Sequence, residues 1–191
     1  MILDDIDGAT PEQLAAGVHE LLLEDDDLET WRKLRDRRLL PALTAIVAAR
    51  GRPAFAPADL PEGDAERVAA GAAHLLGEVA RPEDADSVAA LTGALREGGD
   101  RLRTAAATAL GEIGATEAAG PVTAFTEEMI ARGELGVVAR MARALARIGD
   151  EAARDRLRAW AAEHEASGDQ QVRYVVAQAE GAVRSIDERL A

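Results

Sequence analysis

The chain contains no cysteine. That one absence excludes disulfides, thiolate nucleophiles and cysteine-based zinc sites together. Of the 22 basic residues only Lys33 is a lysine, so cationic chemistry rests almost wholly on guanidinium groups. Aromatic residues make up 3% against 48% hydrophobic residues overall, which leaves alanine, leucine and valine to fill the interior. Small side chains of that kind permit close helix approach. No apolar run comes near the roughly 20 residues needed to span a bilayer as a helix. The opening stretch MILDDIDGATPEQ has neither a basic nor an apolar signal-peptide segment. A soluble cytoplasmic chain with no membrane partner is expected.

What is present in excess is acid. Thirty-five acidic residues against 22 basic ones give a formal net charge of −13. Such a field repels nucleic acid and anionic membrane, so nucleic acid is disfavoured as a partner. An acidic, lysine-poor, alanine-rich composition fits a salt-adapted host and a GC-rich genome equally well, and neither points to a function.

Internal periodicity is the strongest signal. RVAAGAAHLLGEVA from Arg67, RLRTAAATALGEIG from Arg101, GVVARMARALARIG from Gly136 and QVRYVVAQAEGAV from Gln171 align without gaps. The column Val68, Leu102, Val137, Val172 has spacings of 34, 35 and 35, and Val79, Ile113, Ile148, Val183 repeats them. Within the second segment Leu102, Ala106, Ala109, Leu110 and Ile113 fall on one face of a helix. Between these helices runs a second set, with columns Val88, Val122, Leu157 and Leu91, Phe125, Trp160 spaced by 34 and 35. Each repeat is therefore a pair of helices. Gly114 and Gly149 are expected to supply left-handed residues after the first helix, and Gly98, Gly133 and Gly168 to turn the chain between hairpins.

The stretch DRLRTAAATALGEIGATEAAGPV, residues 100–122, resembles the bilin-lyase subclass of HEAT-like repeats through Asp100, Leu102, Arg103, Ala106, Ala107, Leu110, Gly111, Ile113 and Gly114. The resemblance covers about two thirds of the chain. It implies an all-α fold, a right-handed α-α superhelix or solenoid of antiparallel helix pairs, and it is unspecific for activity. Residues 1–50 are read as a divergent N-terminal hairpin cap in which Pro41 kinks or starts a helix. Residues 51–63 form a Pro-rich loop and the expected flexible point. Residues 64–191 hold three repeats and a lone C-terminal capping helix, the whole making one continuous unit.

The sharpest local feature is a change of charge. Residues 1–30 hold ten acidic and no Arg or Lys residues, whereas 31–52 hold seven basic and one acidic. Trp31, Arg32, Arg35 and Arg38, with Lys33 and Arg37, are a candidate basic patch for phosphate or an acidic partner. Equally, Asp25, Asp26 and Glu29 are placed to neutralise the run, Glu29 and Lys33 being a favourable i,i+4 pair. A second arginine cluster, Arg140, Arg143 and Arg147 with Arg154, Arg156 and Arg158, reads as a solvated ridge or as partners of Glu134, Asp150, Glu151 and Asp155. His74 and His164 sit in apolar columns and read as packing residues. The pairs His19-Glu20 and His164-Glu165 resemble the iron-binding pairs of deoxyhypusine hydroxylase but lie on non-equivalent helices. No metal, cofactor or catalytic set is assigned: Ser87, Ser167 and Ser185 lack triad partners, and no phosphate loop is present.

The expected function is a non-catalytic protein-binding scaffold or adaptor that holds a protein or peptide on the solenoid surface. Candidate groove-lining residues on the second helices are Glu127, Glu128, Arg132, Arg158 and Glu163. The resemblance also implies two alternatives: a bilin-lyase-like or chaperone-like protein acting on a partner, and a DNA-lesion glycosylase, which the net charge disfavours. The oligomeric state is left open.

Overall fold

A computed structural model of the chain describes residue 6 and residues 8–24 and 33–191. Nine α-helices stand among the described residues, with no strand. They are α1 (Pro11–Glu24), α2 (Leu40–Ala48), α3 (Glu62–Val79), α4 (Ala85–Glu97), α5 (Asp100–Ile113), α6 (Ala119–Ala131), α7 (Leu135–Ile148), α8 (Glu151–His164) and α9 (Gln170–Leu190). Short 3₁₀ turns at Arg37–Leu39 and Thr116–Ala118 lead into α2 and α6. The helices occupy the segments that the repeat columns mark, and the contacts between neighbouring helices fit a helical repeat. The chain forms two compact units, Met1–Ala109 and Leu110–Ala191, divided within α5.

In the first unit, α1 opens with a capping box. The Thr10 N–H donates to Gln13 Oε1 at 2.8 Å and the Gln13 N–H donates to Thr10 Oγ1 at 3.3 Å, so two otherwise unpaired donors are satisfied reciprocally. Leu14, Val18 and Leu22 face inward from α1 onto α2 and α3, where Leu39, Leu43, Ile46, Val47, Leu75 and Leu76 are buried. Pro41 stands in the first turn of α2 and starts that helix rather than kinking it, because its missing N–H is not required there. The N-terminus of α5 is capped from a distance. Glu66 on α3 accepts from the Arg101 and Leu102 N–H groups at 3.0 and 3.3 Å, placing a carboxylate where the helix dipole favours one.

The Pro-rich loop is anchored rather than free. The Nε2–H of buried His19 donates to Gly51 O at 3.0 Å, Phe55 meets the same imidazole edge-on, and Leu60 is buried.

In the second unit, α7 is the central helix and packs against α6 and α9, while α8 packs against α6 and α9. Val122, Phe125, Met129, Val138, Met141, Leu145, Leu157, Trp160, Val175 and Ile186 make the core. The C-terminal helix therefore has two partners, α7 and α8. At the positions one repeat after buried Val138, Ala142 and Leu145 it carries Arg173, Ala177 and Glu180, all exposed. The apolar seam that α7 offers a neighbour is thus replaced by a water-facing surface.

One turn glycine, Gly149, departs from the expected left-handed conformation. Gly114 and Gly133 have φ of 83° and 74°, but Gly149 has φ −59° and Gly98 φ −77°. At these two a Cβ would stand 2.6 Å from the carbonyl oxygens of Leu145 and Ala94. Close backbone approach, rather than a left-handed conformation, selects glycine there.

Candidate functional site

Arg35 and Arg37 of the basic run are engaged by acids from other elements, and Arg38 by an acid of its own turn. Trp31 and Arg32 lie outside the described residues, as do Asp25, Asp26 and Glu29. Arg35 donates to Glu78 Oε1 at 3.1 Å. Arg37 donates to Val79 O at 2.7 Å and straddles Asp84 with contacts of 3.1 and 3.2 Å. Arg38 closes on Asp36, with Nη2 to Oδ2 at 2.6 Å. The guanidinium of Arg37 thus covers the C-terminal carbonyl end of α3 and the carboxylate beginning α4, both favourable places for positive charge. Arg35 and Arg37 fasten the turn before α2 onto α3 and the start of α4.

The Arg37 hydrogen bond, aided by the Arg81 N–H, holds the Asp84 carboxyl below its ordinary value, and Arg38 does the same for Asp36. The sign follows by linkage. A carboxyl with a lowered folded-state pKa contributes stability above its unfolded value of about 3.9, and this is lost as pH falls through the folded value. The urea midpoint of the wild type is expected to be level above about pH 5 and to fall below about pH 4. Asp84→Asn should start lower by up to about 1 kcal/mol, the range for a partly exposed pair, and show a shallower acid fall. Equal acid slopes in the two proteins would contradict this role.

The candidate groove residues all lie exposed on α6 and α8, or in the case of Arg132 just after α6. Glu127 is 2.7 Å from Arg156, an ion pair that joins the outer faces of the two helices. Glu128 lies 3.4 Å from Arg132. Arg158 turns toward α9, contacting Asp187 at 2.9 Å, and Arg154 reaches the same carboxylate at 3.5 Å. Glu163 is exposed. Between the charges stand exposed Ala124 and Ala131 on α6 and Ala152, Ala159 and Ala162 on α8. The outcome is a low-relief surface of alternating charge, in which alanines let another backbone come close. Beside it, Ala161, Ala162 and Val183 floor a cleft of about 390 Å³ with Arg158, Arg184, Glu165 and Glu180 around it.

Of the histidines, His74 departs from expectation. It is exposed and lies 3.3 Å from Glu78, one turn on, because the buried face of α3 runs through Ala72, Ala73, Leu75 and Leu76 and leaves position 74 outside. His164 is half-buried, stacks on Trp160 with ring centres 4.5 Å apart, and its Nδ1 pairs with Trp160 O at 2.9 Å. His19, half of a His-Glu pair in the sequence, is buried and bonds to Gly51 O. Its spacing from Ala15 and Leu22 on the apolar face of α1 was the available sign of burial. No group of three or more potential metal ligands occurs among the described residues.

A further cleft in the first unit, of about 680 Å³, has Leu40, Pro41, Ala45 and Ala48 on one wall and the start of α4, with Asp84 and Asp86, on the other. Among the described residues no helix is long and apolar enough to cross a membrane. No protein-family model matches this sequence, and no curated protein matches it.

Proposed function

We propose that the chain is a non-catalytic protein-binding scaffold of the HEAT-like type, a right-handed superhelix of antiparallel helix pairs, and that the outer face of α6 and α8 holds its protein or peptide partner. The observation that carries this reading is the alternation on that face of exposed alanines with Glu127, Glu128, Arg156 and Glu163. Alanine adds little side-chain entropy to the cost of association, and fixed charges of both signs select partners by complementarity. A stack of helix pairs suits this use because its outer residues change without disturbing the core.

Photo-crosslinking tests the reading. A benzophenone side chain at Ala159 or Ala124, in extract of the source cells, is expected to trap one defined protein. Exchanging the pair as Glu127→Arg with Arg156→Glu keeps their mutual attraction but reverses the pattern shown to a partner, so the adduct should disappear while helicity is retained. Failure of both positions to crosslink, or an adduct indifferent to the exchange, would sink the proposal.

A further inference from the structure

The second arginine cluster separates into two groups in the fold. Arg154, Arg156 and Arg158 are neutralised by Asp155, Asp187 and Glu127. Arg140, Arg143 and Arg147 lie exposed on the outer face of α7, spaced i, i+3 and i+7. Arg147 donates to Glu112 O at 2.8 Å. Among the described residues Arg140 and Arg143 have no hydrogen-bond or ion-pair partner. Within α7 itself there is no acidic residue, so its three positive charges have no counter-charge on their own helix.

On α9, Arg189 donates to Gly149 O just beyond the end of α7. One repeat on from Gly136, Ala139 and Arg143 stand Gln171, Tyr174 and Gln178, and α9 packs directly on α7. Tyr174 is 51% exposed, one of few large apolar side chains left to water. On the other flank Glu112 is half-buried, with one carboxylate oxygen covered. A band of three exposed arginines therefore stands on a molecule of net charge −13.

We propose that this outer face of α7, with the adjoining turns of α9, is the docking site for an acidic amphipathic helix of a partner protein. The ridge runs over seven residues, roughly 10 Å at helical rise. That matches two turns of a helix with carboxylates at i, i+3 or i+4, and i+7, each meeting a guanidinium in charge-assisted contact. An apolar residue between them meets Tyr174. A phosphodiester strand fits less well: it is longer than the ridge, and beyond a screening length of about 8 Å it would meet the surrounding excess of carboxylates. The inference extends the scaffold reading to a second face but does not depend on the α6 and α8 surface.

The test uses the whole chain and a fluorescent peptide of about twelve residues, with glutamate at that helical spacing and leucine on the intervening face. Anisotropy is expected to show saturable binding that weakens at least about tenfold in Arg140→Glu/Arg143→Glu and severalfold in Tyr174→Ala. Arg52→Glu/Arg96→Glu imposes the same change of net charge on the first unit and should leave affinity unchanged. Absence of saturable wild-type binding, equal weakening by the control pair, or tighter binding of a single-stranded DNA of similar length would each overturn the proposal. Circular dichroism guards against misfolding. An Ala159 adduct that persists in the Arg140/Arg143 variant separates failure of this site from failure of the scaffold reading.

Discussion

Gly51→Ala is expected to destabilise the chain by about 2–5 kcal/mol, a large share of the 5–15 kcal/mol that holds a typical domain together. Two costs combine at this position. Gly51 has φ 74°, and a left-handed conformation costs a residue with a Cβ about 1–2 kcal/mol. The Cβ would also run into the Ala65 carbonyl of α3, and such overpacking typically costs about 1–3 kcal/mol. The neighbour Arg50 is already left-handed at φ 52°, so the exit from α2 has little freedom left to absorb a shift. Gly114 and Gly133 provide the control, because both have positive φ with nothing within 4 Å of a built Cβ. Alanine there should cost only the conformational part, about 1–2 kcal/mol. Urea denaturation of the three variants measures the difference, and hydrogen exchange over residues 49–61 should rise in Gly51→Ala alone as the His19 bond to Gly51 O is strained. If Gly51→Ala were no worse than Gly114→Ala, the close approach of α2 to α3 would carry none of the stability assigned to it.

That contrast shows where sequence reading works and where it stops. Helix positions were legible because burial imposes a 3.6-residue period on every helix, and a repeated hairpin imposes a second period on the columns. Val68, Leu102 and Ile148 needed no structure to be placed inward. Partners of charges were not legible. Arg37 finds Asp84 across 47 residues and Arg35 finds Glu78 across 43, whereas spacing along a chain announces only neighbours within a turn or two. Glycine is ambiguous for a related reason. The same residue serves a positive φ at Gly114 and a crowded but ordinary backbone at Gly149, and only the surroundings distinguish them. The α6 and α8 surface was foreseeable residue by residue, while the Glu127–Arg156 pair and the alanines between them required the helices side by side. The ridge on α7 is visible as spacing, but spacing alone leaves Asp150 and Asp155 available as its partners, whereas in the fold Asp150 caps α8 and Asp155 pairs with Arg154.

Gly111→Ala is expected to destabilise by about 1–3 kcal/mol, although helix propensity alone predicts the opposite. Gly111 lies within α5 in the Leu110-Gly111 pair, where alanine should gain nearly 1 kcal/mol over glycine. But a Cβ there would stand 2.6 Å from both Cα and Cβ of Ala144 on α7. Backbone meets backbone at that point, so no side chain is available to move aside, and α7 must shift with the residues buried beneath it. The propensity term is isolated at Gly93, inside α4 with nothing within 4 Å of a built Cβ. Gly93→Ala is expected to stabilise by about 0.5–1 kcal/mol. Opposite signs from the same substitution in two helices distinguish crowding from propensity within one protein. Ala144→Gly removes the obstructing Cβ and costs about 1 kcal/mol in its own helix, yet paired with Gly111→Ala it should recover part of the loss. A favourable coupling of about 0.5 kcal/mol or more in the double-mutant cycle is the expected result. Strict additivity would place the cost of Gly111→Ala away from Ala144 and remove the physical reason for glycine at this position of the repeat.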